Sequence, residues 1–325
     1  MPSSSLPHDE QRPAPLLHLR YASRFEAAEH VLGVIGFGAG RPAGLAAETP
    51  FIQAPLSPLS GGAAYEIWQA DAPVRPLRVG PVQGAYNEEL AFGAVRIDEA
   101  GLSPEDATER AYEAIFEFLA RTGCAEPIRF WNYLGDILGE VDGLERYRRF
   151  NIGRHRAFLR HLRQAVPPAA SGVGGHGASV IYVLAAREAA RAVENPRQVS
   201  AYDYPPQYGP RSPGFSRAGL FGGALFVSGT ASIVGHETRH EGDAAAQAAE
   251  TAANLRALIT AAGLEKALGR GEGWALKAYL RVAADREVLA PVLADLFGAG
   301  AEILYLHGEI CRADLALEVE AFYRA

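Results

Sequence analysis

The second half of this chain repeats the grammar of its first. In the first half, Ser103-Pro-Glu-Asp opens a helix, with Ser103 as its N-cap and acidic residues in the first turn. Ala107 to Arg121 follows with Ala111, Ile115, Phe118 and Leu119 at helical spacing, and Gly123 ends the run. After Pro127 comes the aromatic, strand-like IRFWNYL. A turn region at Asp136 to Gly143 leads into an Arg-rich helix, Leu144 to Val166. In the second half, Gly242-Asp243 precedes an Ala-rich helix from Ala244 to Ala262, closed by Gly263. GWALKAYLRV reads as a strand, and Asp285 reads as the N-cap of REVLAPVLADLFG. AEILYLHGEI and DLALEVEAF read as two closing strands. Two such stretches of about 150 residues imply a duplication, and related halves facing each other make one asymmetric cleft. The fold class is α/β with mixed sheets and helices packed on one face.

Charge narrows the function. Lys+Arg 31 against Asp+Glu 38 leaves −7, with no basic stretch to follow a phosphate backbone, which argues against a nucleic-acid binder. Lys266 and Lys277 are the only lysines. The cations are therefore mostly planar guanidinium forks, suited to carboxylates. Cys124 and Cys311 lie far apart and form neither a disulfide framework nor a thiolate cage, which fits a reduced, cytoplasmic setting. Residues 1–15, Ser/Pro-rich with Asp9 and Glu10, read as a mobile tail, neither a secretory signal nor a transit peptide. Residues 218–235 carry no charge, but their Gly, Ser and Thr content favours a buried strand over a membrane span.

Three motifs invite chemistry. His236-Glu237-Thr238-Arg239-His240 spells HExxH, a zinc signature when a helix sets both imidazoles on one face. Here it follows a strand and precedes the helix, so it reads as a connection at a site rim, with no metal. Gly172, Gly174 and Gly177 spell GxGxxG, but a loop precedes them and the strand ASVIYVLAAR follows. That is the wrong order for a dinucleotide fingerprint and reads as a flexible turn. The long loop Val166–Gly223, Pro- and Gly-rich, carries Arg197, Arg211 and Arg217 among Tyr202, Tyr204 and Tyr208. That lining suits a small dicarboxylate with an unsaturated ring, and equally a solvated loop whose aromatics merely pack. In the last strand Leu315, Leu317 and Val319 share one face and Glu318 and Glu320 the other. If that face closes a cleft, burial would raise a carboxyl pKa and leave a proton to donate.

LFVSGTASI, the Ala-rich helix before GWALKAYLRV, and LALEVEAF together resemble the YjgF/RidA superfamily. The whole chain resembles the chorismatases, relatives of FkbO. The resemblance rests on FWNYLGDI (130–137), FNIGRHRAF (150–158), NPRQVSAYDYPPQYGPRSPGFSRAG (195–219), SGTASIVGHETRHEGD (228–243) and ICRADLALEVEA (310–321). It implies two RidA-like modules, residues 16–170 and 171–325, imitating part of a RidA trimer, with the site in the second module facing the long loop. It implies removal of pyruvate from chorismate to leave 3-hydroxybenzoate, alone or mixed with 4-hydroxybenzoate, without a cofactor or an obligatory protein partner. Glu318 falls at the family's catalytic glutamate. Cys311 and Gly229 fall at the positions that mark the 3-hydroxybenzoate-forming subtype, as against the one that hydrolyses chorismate to a dihydroxycyclohexadiene acid. Arg154, Arg211, Arg217, Tyr202 and Tyr208 are the expected substrate-binding residues. The arginine that plain RidA proteins use for an imino acid carboxylate would fall near Ile303, a departure from that group. An imine deaminase and a non-catalytic metabolite-binding module stand as alternatives.

Overall fold

The computed structural model describes residues 17–62, 64–163 and 166–325; the tail expected at 1–15 lies outside the described residues. The chain begins with β1 (Leu17–Ala22), β2 (Val31–Phe37), β3 (Phe51–Ala54), β4 (Ser57–Pro58) and β5 (Ala64–Ala70). A first module follows: β6 (Arg75–Val79), β7 (Val82–Tyr86), β8 (Leu90–Arg96), α1 (Pro104–Thr122), β9 (Glu126–Gly135), the short hairpin β10 (Glu140–Val141) and β11 (Leu144–Glu145), α2 (Arg146–His161), β12 (Ala169–Gly175) and β13 (Val180–Ala186). The second module comprises β14 (Arg191–Val193), β15 (Ala218–Phe221), β16 (Ala224–Thr230), the hairpin β17 (Ile233–Val234) and β18 (Glu237–Thr238), α3 (Ala244–Ala261), β19 (Trp274–Leu280), α4 (Arg286–Phe297), β20 (Glu302–His307), β21 (Glu309–Ile310) and β22 (Leu317–Tyr323).

The echo in the sequence is an echo in topology. The first module's strands run β12-β9-β13-β8-β7-β6 across the sheet, and the second's run β20-β19-β22-β16-β15-β14. In each, a three-strand meander leads through a helix to a strand, then through a helix to its parallel neighbour, and the last strand inserts antiparallel between. Each sheet gains one strand from elsewhere, β21 beside β12 and β4 beside β20, giving two seven-stranded sheets. The expected division at 170/171 falls inside β12, and β13 also pairs within the first sheet. We propose that the modules part after Ala186.

Helix ends follow local chemistry. Ser103 Oγ accepts from Asp106 N at 3.2 Å, and Gly123 closes α1 at φ 77°. Asp243 caps α3 through Ala246 N at 2.9 Å. Asp285 makes no such bond; a 3₁₀ turn, Ala283–Asp285, feeds α4 instead. α2 ends at His161, short of Val166. The Gly172/Gly174 segment is not a turn but β12, parallel to β9. Glycine is required there because a Cβ at 174 would lie 2.3 Å from Ile137 Cγ2.

The helices cover only the outer faces of the two large sheets, α1 and α2 over one and α3 and α4 over the other. The inner faces meet a third layer that the two-module reading does not contain. Residues 17–70 supply a four-stranded sheet, β1-β5-β2-β3, without helices of its own. One core joins all three: Phe37 and Trp68 from the small sheet, Trp131 and Tyr182 from the first module, and Phe226 and Phe322 from the second. Trp131 stacks on Tyr182 at 4.6 Å, and Trp68 meets Phe322 edge-on at 5.3 Å. The ensemble is thus a single-chain, three-sided assembly. At its centre Lys277 Nζ lies 2.5 Å from Glu66 and 2.9 Å from Glu320, one charge from each of three strands. Deleting one member of such a buried group costs about 3–5 kcal/mol, because the others are left uncompensated.

Candidate active site

The site forms at the seam where β12 of the first module abuts β16 of the second. Register between β16 and β22 shifts between Val227 and Thr230, so Ser228 and Gly229 together oppose Glu320 as a bulge. The bulge turns its polar groups toward β12: Ala170 N donates to Ser228 Oγ at 3.0 Å, and Gly229 N donates to Ser171 Oγ at 3.1 Å. Beside it opens a cavity of about 490 Å³. The uncharged run at 218–235 supplies β15 and β16 here, and among the described residues no helix is long and apolar enough to cross a membrane.

β22 alternates as its sequence requires. Leu317, Val319 and Ala321 face the helices, while Glu318 and Glu320 face inward. Leu315 precedes the strand and packs into the central core instead. The lead-in is fixed by Gln247 of α3, which donates to Asp314 O and accepts from Ala316 N, both at 2.8 Å. Glu318 is 5 % exposed and lines the cavity, and among the described residues no donor or cation bonds its carboxyl. Burial pushes its pKa up to about 8; the nearby negative charge of Glu320 adds to this, and Arg129 and Arg217 offset part of it. A carboxyl in that range keeps its proton at neutral pH. Gly229 serves this group directly: a Cβ there would stand 1.9 Å from Glu318 Oε1. The absence of a side chain at 229 makes room for the acid.

Cys311 also borders the cavity. Burial raises its thiol to about 12, with the Glu318 charge adding to the effect. A thiol held that high keeps its proton at neutral pH. Arg217 is buried in the same lining, where its Nη2 donates to Tyr204 Oη and to Val199 O, both at 2.8 Å. Its Nε has no hydrogen-bond partner among the described residues. Tyr208 lines the cavity and donates to His236 O at 2.6 Å.

Three of the expected binding residues lie off the cavity. Arg154 is buried in α2, where its guanidinium sits 5.0 Å over Phe150 and donates to Asn151 Oδ1 at 2.8 Å. Tyr202 sits in a 3₁₀ turn that does not reach the lining, and Arg211 is exposed near His155. Other residues line the cavity in their place. Arg312 lines the cavity with its guanidinium 4.1 Å over the Tyr208 ring and 5.3 Å over Tyr204. Its signal was adjacency to Cys311 in a segment already singled out. Tyr204 is the buried partner within the Arg/Tyr run. Tyr147 borders the cavity from α2, seated against Gly172, where a Cβ would come 3.0 Å from its ring.

HExxH does not form a helical metal face. Its residues cross the β17/β18 hairpin, with Glu237 paired to Arg239 at 3.1 Å and His240 to Glu250 at 3.2 Å. Among the described residues no cluster of His, Cys, Asp or Glu is arranged to hold a metal ion.

A buried carboxyl in a cavity whose walls carry Arg148, Arg217 and Arg312 suits acid–base chemistry on a small anion. Comparisons with known proteins place it further. The N-terminal family model for FkbO/Hyg5-like chorismatases matches residues 66–185. A 3-hydroxybenzoate synthase of Streptomyces hygroscopicus is 37% identical over 272 residues, 78% of this chain and 80% of that protein. A chorismatase of Streptomyces rapamycinicus is 36% identical over 315 residues, 92% of this chain and 94% of that one. The crystal structure of a chorismatase superposes with a TM-score of 0.84 at 31% identity, covering 95% of this chain and 99% of that one. The chain belongs to the chorismatase family.

Proposed function

We propose that the protein converts chorismate to 3-hydroxybenzoate and pyruvate, with Glu318 as the proton donor. The observation that carries this is a carboxyl held neutral by burial beside Arg217 and Arg312, in a family whose relative is a 3-hydroxybenzoate synthase. Chorismate carries two carboxylates, an enolpyruvyl ether and a neighbouring ring hydroxyl. Arg217 and Arg312 each answer one carboxylate with a fixed guanidinium fork, and Tyr204 and Tyr208 hold those forks in place. Glu318 then donates its proton to the enolpyruvyl methylene, making an oxocarbenium-like substituent and leaving a carboxylate. The ring hydroxyl attacks the adjacent carbon and the C–O bond to the side chain breaks, releasing pyruvate. The resulting epoxide opens as the ring loses a proton and aromatises. The hydroxyl proton and the ring proton together restore Glu318 and the phenol, so substrate and products balance with no water consumed.

Water is the competitor, since its attack in place of the ring hydroxyl gives the dihydroxycyclohexadiene acid. Cys311, neutral and apolar, supports the dry reading. Imine deamination is not favoured, because Ile303 packs among the helix-side residues of β20, away from the cavity. The setting proposed is cytoplasmic, in keeping with two unpaired cysteines. Incubation of the purified protein with chorismate tests the reading: chromatography is expected to show equimolar pyruvate and 3-hydroxybenzoate, and unchanged chorismate would reject it.

A further inference from the structure

Glu318 does not stand alone on its strand. Two residues along, Glu320 points to the same inner face and is 4 % exposed. Its two oxygens receive Arg129 Nη2 at 3.0 Å, Trp131 Nε1 at 2.7 Å, Ser171 Oγ at 2.5 Å and Lys277 Nζ at 2.9 Å. Burial alone would protonate it, but Lys277, then Arg129 and the Ser171 hydrogen bond, outweigh burial and hold its pKa below the ordinary carboxylate range. One strand thus carries two buried carboxyls in opposite states, the arrangement that separates an acid from its fixed anion.

Ser171 connects the two. A hydroxyl has one proton and two lone pairs. Ser171 gives its proton to Glu320 and accepts from Arg129 Nη2 at 2.6 Å and from Gly229 N at 3.1 Å. Although it borders the cavity, it has nothing left to offer a ligand. Its bond to Gly229 fixes the bulge against which the Glu318 carboxyl rests.

We propose that Glu320 and Ser171 are positioning residues for the acid: Glu320 is a fixed buried anion that keeps the proton on Glu318, and Ser171 ties that anion to the bulge that seats it. This rests on the reading of Glu318 as proton donor. Other groups face Glu318 as well. Arg129 from β9 and Arg217 ahead of β15 favour its ionised form. Tyr147 from α2 and Cys311 after β21 are neutral neighbours, and Tyr279 lies opposite it on β19. Arg312 and Asp314, of opposite sign, close the same wall. Among these, Glu320 is the negative charge that acts most strongly on Glu318.

The test is a carboxyl titration by ¹³C NMR of glutamate-labelled, substrate-free protein, alongside the pH profile of kcat/KM for chorismate. Glu320→Gln is expected to lower the Glu318 titration and the alkaline limb of activity by about one pH unit. Glu320→Asp, which keeps the charge, is expected to leave both within about half of that shift. Ser171→Ala is expected to reduce kcat about tenfold or more with KM within about twofold, since it positions without binding. Should Glu320→Gln fail to fold, Glu320→Gln with Lys277→Met removes one buried charge of each sign and is expected to shift the titration downward likewise. A titration that does not move in the charge-removing variant, or moves equally in Glu320→Asp, would overturn the proposal. Wild-type protein that leaves chorismate untouched would instead overturn the functional reading, while the titration still reports on Glu320.

Discussion

β13 and β22 occupy the same place in their two modules, inserted antiparallel between the meander and the parallel pair, yet their inner faces differ in kind. β13 turns Val180, Tyr182 and Leu184 into the central core. β22 turns Glu320 and Phe322 to the same centre and Glu318 to the cavity beside it. The shared topology supplies a rigid frame, and a change of residue type at two alternating positions of one strand converts packing into chemistry. The first module then serves the site from outside, lending Ser171, Gly172 and Tyr147 to the seam.

That contrast can be broken most sharply at the two strands themselves. Glu318→Gln is expected to lower kcat by about 10²–10⁴-fold while chorismate still binds. Leu184→Ala, at the counterpart strand, is expected to cost about 2–5 kcal/mol of stability with the pH profile of activity unchanged. Loss of turnover in both, or in neither, would dissolve the division of labour. Gly229→Ala comes next. Its methyl group must displace the Glu318 carboxyl, and a fall of about 10–100-fold in kcat is expected from misplacing the reacting group. Arg312→Ala removes one anion anchor and is expected to raise KM by about 10–100-fold, with a smaller change in kcat.

A further effect concerns stability. The folded Glu318 titrates near 8 while an unfolded glutamate titrates near 4.5. Between these values the unfolded chain loses its proton and the folded one keeps it. The contribution is therefore fully present below about pH 4.5 and is lost as pH rises to about 8. Thermal melts are expected to show Glu318→Gln more stable than the parent at pH 8, by on the order of 2–4 kcal/mol, and indistinguishable at pH 4. Cys311→Ala is expected to change least, shifting the share of water-derived product while leaving stability nearly intact. A pure unfolding phenotype would make Cys311 a packed thiol with no part in the choice of product.

Much of the frame was legible because periodicity and caps are local. Ser103, Gly123, Asp243 and Gly263 announce their helix ends, and the alternation in LALEVEAF separates the two faces of β22. Asp285 misleads because a 3₁₀ turn satisfies the helix entry without its side chain. The sheet formed by residues 17–70 has no helices to announce a module, so it stayed hidden in the first half. Gly172 and Gly174 look like a turn because their need for glycine arises from Tyr147 and Ile137, neighbours only in space. Of the candidate site residues, Glu318 lines the cavity where chemistry and strand period coincide, and the long loop brings Arg217 and Tyr208 to the same lining. Arg154, Tyr202 and Arg211 lie off it, since whether an arginine in an aromatic run faces a cavity, a ring or solvent depends on the turns between.

Catalysis here turns on one proton, that of Glu318. Difference infrared spectroscopy of wild type against Glu318→Gln, taken across pH, reads the carboxylic acid C=O stretch of that residue alone. The band is expected to be present at pH 7 and to vanish around pH 8. A Glu318 already ionised at pH 7, with its transition near the ordinary 4.5, would contradict the proposal that it is the acid.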